Sequence, residues 1–399
     1  MQNYRDTLLP GPPRVRARLY GVPRPRRAPT TLDAERLLSL DAFRGVTIAA
    51  MILVNNPGTW EHTYGPLRHA PWNGWTTADL IFPFFLFIVG VAITFSFNDK
   101  LGHARRGRFL VSKVVRRALI IFILGIILNG FPLFDWSTLR IPGVLQRVAL
   151  CYCLAAMAAV MMGIRGQALT AAILVIAYWA VMQLVPVSGH PAGSFGPDTS
   201  LAAYIDAALL PNHLLHAGWD PEGILGTFPA LATTLCGVLT GHWLRSSRSA
   251  SARVAGLFVA GNIGLVLGLV MDIWLPINKS LWSSSYVVFT AGMALDILAM
   301  CYWLVDFRGY RRWAKPFIVF GTNPIVAYVL SSLMAKVMLL GKVTLADGSK
   351  IDFQRYVFEH FFLPLARPVD ASLLYALAYV FLWLGITAFL YRKRIIIKI

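Results

Sequence analysis

His69, Asn55 and Asp79 are the residues whose types and spacing come closest to a catalytic set. His69 sits in the segment RHAPWNGWTTADLIFPFF, Arg68 to Phe85, in which Asp79 opens an otherwise apolar run. A neutral imidazole takes a proton from an amine or hydroxyl near neutral pH, and it also accepts an acyl group as a nucleophile. A carboxylate ten positions downstream is placed to orient such an imidazole. Asn55 and Asn56 close the preceding apolar run, and the Asn55 amide can donate to a developing oxyanion. An ionisable group at a bilayer edge is costly and usually functional. The three residues are therefore expected to share one rim of the molecule.

Basic residues supply a second kind of chemistry. GHARRGRFLVSKVVRR, Gly102 to Arg117, holds Arg105, Arg106, Lys113, Arg116 and Arg117. It suits anionic lipid headgroups or the phosphates of a large anionic donor. No P-loop or G-x-G-x-x-G accompanies it, which argues against a nucleoside triphosphate. Arg44 follows Asp41 near the start of the first apolar run, as an interfacial ion pair or a donor contact. Arg147, in RIPGVLQR, lies deep enough in its run to need a partner or a ligand, and Asp296 is the expected protein partner. Asp220 and Glu222, in DPEGILGT, read as acids at a helix start. PINKSLWSSSY places Asn278 and Trp282 at another helix end, and GTNP, Gly321 to Pro324, interrupts a later run.

The elements that must carry these residues are membrane spans. The chain has 399 residues, 57% hydrophobic and 14% charged, against about 25% charged in soluble proteins. Apolar runs at 38–56, 77–97, 114–130, 142–162, 168–187, 224–244, 254–275, 282–305, 316–340 and 371–391 predict an all-α polytopic membrane protein of about ten transmembrane helices. If the chain starts in the cytoplasm, the inner segments hold 27 Lys and Arg and the outer loops 7. The positive-inside rule then puts both termini in the cytoplasm. Residues 1–36, rich in Pro and Arg, read as a disordered basic tail, and 37–399 as one membrane domain. The net charge of +18 lies between spans, so nucleic acid is not an expected partner. The four cysteines all fall in apolar runs, and no metal-ligand pattern is present.

The strings LSLDAFRG, VNN, RHAPWNGWTTADLIFPFFLFIVG, RIPGVLQR, AYIDAALL, DPEGILGT, PINKSLWSSSYV, GTNPIVAYV and YRKRIIIKI occur in this order. Together they resemble the transmembrane heparan-alpha-glucosaminide N-acetyltransferase family and its bacterial relatives. The resemblance implies an acyltransferase in a bacterial inner membrane. It would move acetyl from cytoplasmic acetyl-CoA, a co-substrate, to the amine of a glucosamine-type sugar on the far side. His69 falls at the family's active-site histidine, Asn55 at its asparagine after the first span, and Asp79 at its span-two aspartate. Arg44, Arg105, Arg106, Lys113, Arg116, Arg117 and Arg147 are then the expected donor contacts. Asn56, Trp72, Asn73, Arg140, Glu222, Asn278 and Trp282 are the expected acceptor contacts, with no metal. A small amino sugar or cell-wall fragment is the expected acceptor, and a homodimer the expected assembly. His69 as general base and His69 as acetyl carrier both remain open. So do two other readings, an amino-sugar transporter and an O-acetyltransferase acting on a cell-envelope glycan.

Overall fold

The computed structural model describes residues 37–97 and 104–397, with no side chains described for 104–109. The tail at 1–36 lies outside the described residues.

The chain begins with α1 (Leu38–Asn55). A loop carrying His69 leads to a 3-10 turn, Thr77–Leu80, which continues directly as α2 (Ile81–Ser96). Thr76 and Asp79 form a capping box at this start, each side chain bonding the other's backbone N–H. Then come α3 (Ala104–Gly130), α4 (Val144–Met161) and α5 (Ile164–Leu184). The short α6 (Leu201–Leu209) lies in the long loop before α7 (Ile224–Leu244). α8 (Ala250–Met271) and α9 (Ser284–Tyr302) follow, the latter extended by a π turn, Trp303–Phe307. α10 (Lys315–Thr322) and α11 (Pro324–Leu340) meet at a bend of 83°. A hairpin of β1 (Lys342–Thr344) and β2 (Lys350–Asp352), then α12 (Phe353–Val357), lead to α13 (Pro368–Arg392).

Helices occupy all ten places where spans are predicted. Among the described residues, eight are long and apolar enough to cross a membrane, or nine if the bent α10–α11 pair counts as one. The shortfall from ten comes from α3. Lys113, Arg116 and Arg117 interrupt its first half, and the apolar stretch beyond them is shorter than a full crossing. The bend falls where GTNP predicts a break: Pro324 cannot donate a helical hydrogen bond. Asn323, buried at that corner, donates from Nδ2 to the Ile395 carbonyl (3.0 Å) and accepts at Oδ1 from the Ile397 N–H (2.9 Å).

α2 is the most enclosed helix, whereas α5 and α8 present most of their surface outward. Gly90 of α2 and Gly237 of α7 let the two backbones touch. A Cβ on Gly90 would fall 1.9 Å from the Thr234 carbonyl oxygen, and one on Gly237 would fall 2.0 Å from that of Phe87. Small residues at such crossings admit close helix packing. Connectivity gathers the C-terminal end of α1 and the N-terminal ends of α2, α4, α7 and α9 at one end of the bundle. Tyr286, in the first turn of α9, donates to the Asp79 carbonyl (2.5 Å). The opposite end is marked by Arg245, just past α7, which donates to the Thr94 carbonyl near the end of α2 (2.8 Å). The 16 residues of α2 separate these ends by about 24 Å at ~1.5 Å per residue.

Candidate active site

Asp79 is held before it meets the histidine. Its Oδ2 accepts from the backbone N–H of Ala70 (2.9 Å) and of Thr76 (3.0 Å). The Thr76 hydroxyl donates to the Arg68 carbonyl (2.6 Å) and draws the loop closed. With Oδ2 filled, Oδ1 stands 2.7 Å from His69 Nδ1. The carboxylate can only accept, so Nδ1 carries a proton, and in the neutral imidazole the lone pair is then on Nε2. Asp79 is buried, while the His69 side chain is 42% exposed. The pair has the geometry of an imidazole held by a carboxylate, with one side of the ring exposed.

A third group completes the site. Lys279 Nζ lies 3.1 Å from His69 Nδ1, 3.2 Å from Nε2 and 3.7 Å from Asp79 Oδ1. The in-plane directions of the two ring nitrogens diverge, so an atom equidistant from both lies along neither. The ammonium therefore rests against the ring without taking up the Nε2 lone pair. Burial pulls the Lys279 pKa below the usual lysine range, and the neighbouring Asp79 carboxylate offsets only part of this. Sequence reasoning passed over this residue, although it lies in the PINKSLWSSSY segment between two residues that were singled out.

The loop bearing Lys279 is braced on every side. Asn278 Oδ1 accepts from the Leu281 N–H (2.8 Å), and its Nδ2 donates to Asn73 Oδ1 (3.1 Å). Gly74, at φ +91°, donates its N–H to the Ile277 carbonyl (2.7 Å). The Lys279 and His69 loops are thereby tied together. Trp282 adopts a left-handed φ of 53°, uncommon for a bulky residue. It is fully buried, edge-on to Phe82 and Tyr286, and donates to Thr233 Oγ1 (3.2 Å). Backbone strain of this kind persists where the surroundings over-determine it.

The other predicted site residues divide by location. Asn55 ends α1 exposed on the same end of the bundle, outside the hydrogen bonds that join His69 and Asp79. Asn56 is buried and caps its own helix, donating to the Ile52 carbonyl (2.7 Å). Trp72 is half-buried, donates to the Phe195 carbonyl (2.7 Å) and meets Trp219 edge-on. Arg140 grips Asp220 through Nε (2.8 Å) and Nη2 (2.7 Å), and reaches Glu222 at 2.5 Å. Burial alone would lower the Arg140 pKa, but the two carboxylates raise it beyond the usual arginine range. The acids at the start of α7 therefore clamp an arginine rather than cap the helix. The cap is Asp206, whose Oδ1 accepts from the Ile224 N–H (2.8 Å).

Arg147 corrects an expectation. It is fully buried but does not pair with Asp296. It donates to the Gly223 carbonyl (3.0 Å) and lies over the Trp282 ring at 5.0 Å. Among the described residues its Nε and Nη1 find no acceptor, and Asp296 Oδ1 finds no partner. The start of α4 faces the start of α7, while Asp296 projects from α9 against Gly261 of α8.

The basic set is at the far end. Lys113, Arg116 and Arg117 are exposed on α3, with Arg117 over the Tyr152 ring at 4.9 Å. Arg105 and Arg106 fall in its first turn, and their side chains lie outside the described residues. Arg44 Nη1 donates to Asp41 Oδ1 and to the Gly321 carbonyl, both at 3.2 Å. A shallow cleft between the end of α1 and the start of α13 has neither His69, Asp79 nor Lys279 in its wall.

Comparison with known proteins returns a consistent result. Residues 36–275 match the family model described as heparan-alpha-glucosaminide N-acetyltransferase, catalytic. The mouse (Mus musculus) heparan-alpha-glucosaminide N-acetyltransferase is 32% identical over 355 residues, covering 74% of this chain and 53% of the relative. The human (Homo sapiens) protein of the same name is 31% identical over 352 residues, covering 74% and 52%. The chain thus spans about half the length of the curated relatives it matches.

Proposed function

The chain belongs to the heparan-alpha-glucosaminide N-acetyltransferase family, and on that premise we propose that it is a membrane N-acetyltransferase acting on a glucosamine-type amine. Acetyl-CoA is the donor. The observation that carries this reading is the His69–Asp79 pair, with its Nδ1–Oδ1 contact of 2.7 Å and its Nε2 on the exposed side of the ring, 3.2 Å from Lys279 Nζ. In this reading Nε2 takes a proton from the acceptor amine as nitrogen attacks the thioester carbonyl. Asp79 keeps the ring in the active tautomer and offsets the imidazolium charge. Asn55, on the same rim, donates to the oxyanion of the tetrahedral intermediate. CoA thiolate leaves, and the amide forms.

The two ends of the bundle divide the substrates. Arg105, Arg106, Lys113, Arg116 and Arg117 hold the donor's phosphates at the basic end, with Arg44 on that side. The acyl arm crosses the bundle past Arg147 toward His69. The acceptor meets Asn73 and the ring face of Trp72 at the other end, beside Glu222, whose carboxylate is held by Arg140. Arg140, Asn56, Asn278 and Trp282 shape that end from within, because their polar groups are engaged inside the protein. Charge asymmetry supports both termini in the cytoplasm and His69 on the outer face of a bacterial plasma membrane.

The test is CoA release by the purified full chain in detergent, with acetyl-CoA and glucosamine. Release is expected to require the amino sugar and to disappear in His69→Ala with donor binding retained. Wild-type turnover in that variant would refute the assignment of His69. Uptake of the sugar into proteoliposomes without acetyl-CoA, and no CoA release, would establish a transporter instead.

A further inference from the structure

The ammonium of Lys279 lies beside the atom to which an acceptor amine would give its proton. Nζ is 3.2 Å from His69 Nε2, so a turn of the flexible lysine side chain brings it into line with the Nε2 lone pair and within proton-transfer reach. Its nearest carboxylate oxygen, Asp79 Oδ1, is at 3.7 Å and is already engaged by His69 Nδ1. An ion pair alone would favour direct contact with that oxygen. The side chain instead lies against the imidazole, on a loop fixed to the His69 loop by Asn278 and Asn73. His69 is exposed, so an incoming acyl donor can reach both groups.

We infer that Lys279 is a self-acetylation site: its Nζ accepts the acetyl group of bound donor when no external amine is present. This rests on the proposed acetyl-CoA-dependent transfer. The step balances without a further reactant. The Lys279 ammonium gives one proton to His69 Nε2, and the free amine attacks the thioester carbonyl. The C–S bond breaks as the C–N bond forms. The thiolate takes the proton held by His69 and leaves as CoA thiol, which restores the imidazole, and the second amine proton passes to solvent. Partial burial favours the uncharged amine, which supports this role. Acetylation removes the cation beside the imidazole and leaves a neutral amide on the rim.

The experiment is intact-mass and peptide mass spectrometry of the purified full chain after incubation with acetyl-CoA alone. The expected product is one acetyl group on the Lys279 peptide, stable to hydroxylamine as an amide is and an acetyl-imidazole is not. Lys279→Arg should lose the adduct. In His69→Ala, its rate should fall by about 10²-fold, the size of a general-base effect. Lys342, exposed on β1, reports direct chemical acetylation. An adduct on Lys279 no faster than on Lys342, or one unaffected in a monodisperse His69→Ala protein, would overturn the proposal. Amino-sugar-dependent CoA release without any Lys279 adduct would also overturn it and leave the transferase reading standing. Absence of both CoA release and adduct would remove the transferase reading itself.

Discussion

Asp79 does two jobs with two oxygens. One closes the loop through backbone N–H groups, and the other fixes His69. Asp79→Asn separates them. An amide oxygen can still accept from the backbone, but the amide nitrogen then faces Nδ1 and selects the opposite tautomer. We expect kcat for CoA release to fall by about 10²- to 10⁴-fold with little change in the KM for acetyl-CoA. A steady-state comparison of the two proteins checks this, and an unchanged kcat would deny the carboxylate its orienting role. The His69–Asp79 pairing was legible in the sequence because the two residues flank a single turn, ten positions apart. Lys279 was not, since it lies 210 positions from His69 and only tertiary packing joins them. Asn278 and Trp282 were legible as important residues but not in their use. Both hold the loop, and their polar atoms point into the protein.

Between elements, the start of α7 shows what local sequence cannot specify. Asp220 and Glu222 look like N-terminal caps because they precede a helix. Arg140, arriving from the α3–α4 loop, claims them instead. Asp206, from α6, supplies the cap and pays in charge burial. Its pKa is raised from 3.8 to about 6, chiefly by burial and further by Asp220, against the Ile224 N–H. The folded protein therefore holds this proton more tightly than the unfolded chain. Asp206 favours the fold most when protonated, and that contribution is lost as pH rises from about 4 through 6. The shift corresponds to roughly 3 kcal/mol at most by linkage. Asp206→Asn keeps the acceptor oxygen and removes the titration. Its Tm in detergent should depend less on pH between about 4 and 6 than that of the parent, with the larger gain at the upper end. Identical pH profiles would contradict this account. Arg147 makes the same point about neighbours. Its depth was readable, but its choice of Gly223 and Trp282 over Asp296 follows from which helices meet.

For the whole molecule, hydropathy carried most of the fold. The apolar runs place every long helix, and GTNP marks the bend between α10 and α11. α3 was the harder case, because a run that looks like a span is half basic. The sidedness proposed from loop charge has a direct check. Glu61 lies in the His69 loop and Ser247 between α7 and α8, both exposed and at opposite ends of the bundle. In intact cells, a membrane-impermeant maleimide should label Glu61→Cys at once and Ser247→Cys only after permeabilisation. The reverse pattern would invert the orientation and with it the proposed sides of donor and acceptor.

The corner at Asn323 has a bearing on how the chain is built. Its amide is satisfied by the backbone of Ile395 and Ile397, 72 and 74 positions later. A ribosome delivers α10 and α11 to the membrane well before those partners exist. The bend must therefore enter unlatched, with a polar amide waiting for α13 to be threaded and seated. The corner is closed by a locking step, and the order of synthesis places that lock after α10, α11 and α13.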